Sequence, residues 1–126
     1  MEPSEFYTIV RQQANLESAE EAEAAADAVL ETFAERLSPG ESEEIAERLP
    51  DEPAGAIGTD DEGEDFGPEE FRTRVERRAG IDEDLATRAT RATVHALEEA
   101  AGEAFTDVRE QFPAEYDDLF GGASGS

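Results

Sequence analysis

Apolar residues recur along this chain at intervals of three and four, with polar residues filling the positions between, which is the spacing of a helix face. Phe6 and Val10 lie four apart on one face, as do Phe71 and Val75. A longer stripe runs through Ala22, Ala25 or Ala26, Val29, Phe33 and Leu37, with Leu30 alongside. The punctuation agrees with the periodicity. Ser18 followed by Glu21, and Ser38-Pro39 followed by Glu41, are helix-starting capping boxes, the second with proline at the first helical position. The third helix carries Ile45 and Leu49 until Pro50 stops it. Pro68 opens a helix that Gly80 ends, and Asp82 caps a long one reaching about residue 101. Phe105, Val108 and Phe112 mark a shorter helix, and residues 113–120 add a last turn. No stretch alternates with period two for long enough to make a strand. The pattern predicts an all-α fold.

The chain also repeats itself. Pro3 to Ala14 lies over Pro68 to Ala79 at a lag of 65 residues, with Pro3/Pro68, Glu5/Glu70, Phe6/Phe71, Thr8/Thr73, Val10/Val75 and Ala14/Ala79 identical. At the same lag Leu16 meets Ile81, Val29 meets Val94, and His95 falls where the first repeat has Leu30. Further on the lag becomes 63, where Ile45 meets Val108, Leu49-Pro50 meets Phe112-Pro113 and Ile57 meets Phe120. This predicts two tandem three-helix repeats, residues 3–57 and 68–120, with an acidic linker over 51–67 and a flexible tail at 121–126. Neither half has enough large apolar residues for a secure core of its own. A single bundle of about six helices is therefore expected, with Ile57 and Phe66 pinning the linker at its ends.

Composition at first argues against any fold. The 126 residues include 34 acids and 10 bases, a net charge of -24. Leu, Ile, Val and Phe together number only 23. Few apolar residues with high net charge is the usual signature of disorder. The capped, periodic, duplicated pattern outweighs it, and the kind of charge explains the excess. All ten basic residues are arginine and none is lysine. At about 1 M salt the screening length is roughly 3 Å, so repulsion among surface carboxylates largely vanishes. In this respect the chain is similar to proteins of salt-accumulating halophilic archaea. No apolar run approaches the roughly 18 residues of a membrane span. The opening Met1-Glu2-Pro3-Ser4-Glu5 is acidic where a signal peptide is basic. A soluble cytoplasmic protein without membrane contact is expected. Without cysteine, disulfides, zinc-thiolate sites and cysteine nucleophiles are excluded.

Several of these motifs together resemble a known family. They are the opening Phe6, Val10 and Ala14-Asn15-Leu16, the Ala28-Val29-Leu30 turn, and Arg36-Leu37 with Gly40-Glu41 and Leu49-Pro50. The second half answers with Arg78-Ala79-Gly80-Ile81, Thr93-Val94-His95 and Gln111-Phe112-Pro113, then Tyr116 and Leu119-Phe120. Over residues 4–120 the pattern resembles the prokaryotic Domain of Unknown Function 2267. The resemblance implies a small, two-repeat, all-helical protein and no particular activity.

Candidate chemistry is sparse. The acidic linker does not fit a calcium loop: with Gly63 sixth the first ligand is Gly58, and with Gly67 sixth the twelfth residue is Thr73. A solvated loop at Asp60, Asp61, Glu62, Glu64 and Asp65 is expected instead, with loose cation condensation on those carboxylates the alternative. His95 is the sole histidine, and Glu98 and Glu99 are the acids within helical reach. It reads as a residue at the edge of the core paired with Glu99, with general acid–base use the alternative. No catalytic set, metal site or cofactor motif emerges. The arginines say most. Residues 71–91 hold Arg72, Arg74, Arg77, Arg78, Arg88 and Arg91 against four acids, net +2, whereas residues 1–67 carry net -17. Six arginines on adjacent helices suit an anionic partner or nucleic acid. Salt weakens phosphate binding steeply, however, and pairing with first-half carboxylates across an internal interface is preferred. The leading reading is a non-enzymatic protein-interaction module, binding a protein partner or a second copy. A nucleic-acid regulator using the arginines stands second, and an enzyme using His95 third.

Overall fold

The predicted caps Ser18, Ser38 and Asp82 each accept a hydrogen bond in the computed structural model of the protein, which describes residues 1–57 and 63–120. Seven α-helices and no strand occur among the described residues: α1 (Pro3–Ala14), α2 (Ala19–Arg36), α3 (Pro39–Ala46), α4 (Asp51–Ile57), α5 (Pro68–Ala79), α6 (Glu83–Ala101) and α7 (Glu103–Glu110). A 3₁₀ turn, Ala114–Tyr116, follows. The Ser18 hydroxyl accepts the Glu21 amide at the start of α2, and the Asp82 carboxylate accepts the Leu85 amide at the start of α6. Ser38 and Glu41 complete a reciprocal capping box on α3. Asn15 and Gly80 end α1 and α5 in the left-handed conformation, with φ of 57° and 67°. There the next amide reaches back five residues, Leu16 to the Arg11 carbonyl and Ile81 to that of Glu76.

Packing crosses between the halves. α1 lies chiefly along α6, α5 lies against α2, and the two long helices α2 and α6 meet each other. Alanine makes this possible: Ala22, Ala25 and Ala26 on α2 and Ala86, Ala89, Ala92 and Ala96 on α6 are all buried. Small side chains let helix backbones approach closely, so the core is built with few large residues. Thr32, Thr90 and Thr93 are buried too, each donating its hydroxyl to the carbonyl four residues earlier at 2.8 Å. Beside the alanine seam sits an aromatic cluster. Phe33 meets Phe71, Phe105 and Phe112 edge-on at 5.0 to 5.8 Å, and Tyr116 and Phe120 close it. Core residues of both halves belong to one continuous apolar cluster.

Three sequence expectations change. Residues 51–57, expected to begin the linker, form α4, because Pro53 sits in the first turn where its missing amide is no loss. Ile57 is fully buried as expected. α3 ends at Ala46, so Leu49 is buried just beyond the helix rather than within it. The third change concerns register. The turn at 15–18 is one residue longer than that at 80–82, so the long helices superimpose their burial patterns at a lag of 64, not 65. Buried Leu30 then corresponds to buried Val94, and His95 corresponds to exposed Glu31. Asp60, Asp61 and Glu62 of the linker and the tail 121–126 lie outside the described residues.

Candidate functional site

The arginines of 72–91 are placed by α5 and α6, and most turn toward their own chain. Arg74 donates to Glu35 of α2 at 3.0 Å, to Glu70 at 2.9 Å and to Glu64 at 3.2 Å, with its guanidinium 4.0 Å from the Phe66 ring centre. Arg78 donates to the second oxygen of Glu35 at 2.5 Å and to the Thr32 hydroxyl at 2.9 Å. Glu35 thus holds two arginines at once, one on each carboxylate oxygen. The Arg78 hydrogen bond, helped by Arg74 and opposed by partial burial, keeps the Glu35 carboxyl below the usual glutamate range. Both arginines are correspondingly harder to deprotonate, Arg74 chiefly through Glu64 and Arg78 chiefly through Glu35.

The remaining four differ in role. Arg72 lies between Glu76 and Glu83, at 3.6 and 3.5 Å, and ties α5 to the start of α6. Arg88 reaches the Ala14 carbonyl at 2.8 Å, satisfying the C-terminal end of α1 where the helix dipole favours a cation, and pairs with Asp84. Arg91 donates to the Asp118 carbonyl. Arg77 is exposed and makes no ion pair among the described residues. The six side chains therefore do not assemble into one cationic face.

Arg36 of α2 was not singled out by the sequence, and the structure gives it a central position. It donates to the Phe66 carbonyl at 3.0 Å, pairs with Asp65 at 3.3 Å, and lies over the rings of Phe112 and Tyr116. Tyr116 donates its hydroxyl to the same Phe66 carbonyl. The Glu64 amide meets the Glu35 carbonyl at 2.7 Å, and Gly63, at φ 82°, brings the chain against the Leu37 backbone. Residues 63–67 are thus a strap bound across the end of α2. Sequence carried one clue, an arginine ending an apolar stripe opposite an acidic segment.

His95 is exposed, with Glu99 at 3.5 Å and no second histidine or buried carboxylate converging on it. No cluster of three or more potential metal ligands occurs among the described residues. A half-buried pair missed by the sequence reading is Tyr7 with Asp27, hydroxyl to carboxylate at 2.8 Å. Burial is the main influence raising the affinity of Asp27 for a proton, which the Tyr7 bond opposes and Glu23, Glu31 and Glu52 reinforce. Tyr7 is raised as well, by burial first and then by Asp27.

A concavity with an apolar floor lies between two helix turns. Leu16 and Ile81, the residues just after the left-handed helix ends, meet Ala25, Ala79 and Leu85 around a cleft of about 260 Å³ between the α1–α2 and α5–α6 turns. Glu20, Glu21 and Ser18 form its rim, and no basic residue lines it among the described residues. Ile81 and Leu85 are partly exposed there, as Ile9, Phe66 and Phe112 are elsewhere.

No helix among the described residues is long and apolar enough to cross a membrane. Among curated proteins none matches the chain. A family model described as an uncharacterized conserved protein, DUF2267, matches residues 4–119, nearly the whole length. With that match spanning both sets of helices, the chain belongs to the DUF2267 family.

Proposed function

We propose that this chain is a non-enzymatic protein-interaction module adapted to the cytoplasm of a salt-accumulating cell, one domain formed from two pseudo-equivalent halves. The observation that carries the reading is the inward use of the arginines. Glu35 alone engages Arg74 and Arg78, and backbone carbonyls engage Arg88 and Arg91. What faces solvent is mainly carboxylate, a surface that repels phosphates and anionic lipid headgroups and stays hydrated in concentrated salt. The apolar cleft between the turns is the surface feature a protein could use. His95 lends little to an enzyme reading, since its one neighbour in reach is exposed Glu99.

The test is affinity capture from the source cell's lysate in multimolar KCl, alongside sedimentation of the purified protein. A specific protein partner or a defined dimer is expected. A monomer that captures nothing would remove the reading. Nucleic-acid binding is checked in parallel: Arg77→Gln should leave retention on DNA or RNA at background, whereas loss of strong retention would favour the regulator instead.

A further inference from the structure

We infer that the cleft between the α1–α2 and α5–α6 turns docks a basic, amphipathic helical segment of a partner protein; this rests on the interaction-module reading and deepens it. The floor is apolar, built from Leu16, Ala25, Ala79, Ile81 and Leu85. It is also rigid. Leu16 and Ile81 are each anchored by an amide bond back into the preceding helix, at 2.9 and 3.1 Å, immediately after a left-handed residue. A preformed floor lowers the ordering cost of association.

Size and charge choose the occupant. At about 260 Å³ and open to solvent, the cleft is below the range of pockets that enclose a small ligand, roughly 300 to 1,000 Å³. It suits a few apolar anchor side chains projecting from one face of a helix, as in helix-in-groove recognition. The free acidic rim is Glu20 and Glu21 on the α2 side, since Glu83 and Asp84 on the α6 side are paired with Arg72 and Arg88. Both stand in the exposed first turn of α2, and no basic residue lines the cleft among the described residues. A second copy meeting the cleft about a twofold axis would set the Glu20 and Glu21 rim directly against itself. A segment with arginine or lysine beside its apolar anchors meets complementary charge. In multimolar salt, screening leaves only pairs in direct contact effective. Apolar contact then supplies most of the affinity, and carboxylate–cation pairs at the rim select the partner.

The experiment pans a displayed library of random peptides about 16 residues long, enough for a helix of several turns, against the full chain in multimolar KCl. Enriched sequences should carry apolar residues at helical spacing with an excess of arginine and lysine. They should bind Ile81→Asp at least about tenfold more weakly, a difference of about 1.4 kcal/mol. Circular dichroism checks that the variant folds. The double variant Glu20→Gln/Glu21→Gln, altered only at exposed positions, should keep the apolar preference and lose the basic one, and it decides the matter if Ile81→Asp does not fold. The proposal is overturned if nothing is enriched, if the enriched peptides are neutral or acidic, or if Ile81→Asp and wild type bind alike. A dimer that Ile81→Asp dissociates would assign the cleft to a second copy instead. A lysate partner captured equally by wild type and Ile81→Asp would overturn the cleft and leave the interaction reading standing.

Discussion

Replacing Glu35 by glutamine removes the charge that Arg74 and Arg78 share, and the structure sets the size of the effect. The carboxylate accepts two charge-assisted bonds, at 3.0 and 2.5 Å, and its side chain is only 20% exposed. Hydrogen bonds to charged groups contribute about 1.5–3 kcal/mol each when well shielded. Part of that survives the substitution. Arg74 keeps Glu64 and Glu70, Arg78 keeps Thr32, and the amide oxygen of glutamine still accepts one bond. A loss of about 2 kcal/mol is therefore expected, near 8 °C in Tm at this chain length. The assay is thermal unfolding by circular dichroism in multimolar KCl, where exposed pairs such as Arg88–Asp84 are screened but a shielded pair is not. Because the folded-state pKa of Glu35 is depressed, its contribution is complete above the usual glutamate range and is lost as pH falls through the folded value. The gap between wild type and variant should thus be constant near neutrality and close only in acid. A Tm change under about 2 °C, or a double-mutant cycle with Arg78→Gln giving coupling below about 0.3 kcal/mol, would show that the pair behaves as a surface contact and refute the reasoning.

Asp27 works with the opposite sign. Its folded pKa is raised, mainly by burial, so the ionised form costs stability near neutrality. Asp27→Asn, still able to accept the Tyr7 bond, should raise Tm at neutral pH, and the gain should shrink as pH falls and Asp27 itself becomes protonated; a lower Tm at neutrality would contradict this. Two glycines should respond differently in the same unfolding measurement. Gly63→Ala, at φ 82° with a new Cβ 3.3 Å from the Leu37 carbonyl oxygen, should cost about 1–2 kcal/mol. Gly40→Ala, helical and with open space around it, should gain about 0.5–1 kcal/mol. Far-UV circular dichroism should show strong helix in multimolar KCl and progressive loss on dilution, as carboxylates carrying a net charge of -24 lose their screening. Full helicity in dilute buffer would end the salt-adaptation reading.

Local chemistry is written in the sequence, and the helices followed from it. Periodicity, Ser18, Ser38 and Asp82 as caps, and Gly80 as a stop depend on residues within one turn of each other, so no distant contact was needed to read them. The interior faces of α1 and α5 were legible for the same reason. α4 was not, because the Pro53 that ordinarily interrupts a helix is harmless in a first turn, and only burial of Ile57 in the core shows why the chain coils there. Nor was the place of His95, since one residue fewer in a turn rotates everything after it by about 100° around the helix axis. The pairing of arginines with first-half carboxylates was anticipated as a kind of contact, but not its partners. That Glu35 takes both Arg74 and Arg78, and that Arg36 straps down residues 63–67, depends on α5 lying across α2. Apart from α4 and the end of α3, sequence alone determined where this protein makes helices and which faces are apolar. Tertiary structure decided which charges are used internally and which remain to meet a partner, because a guanidinium finds its carboxylate only after packing brings the two within about 3 Å.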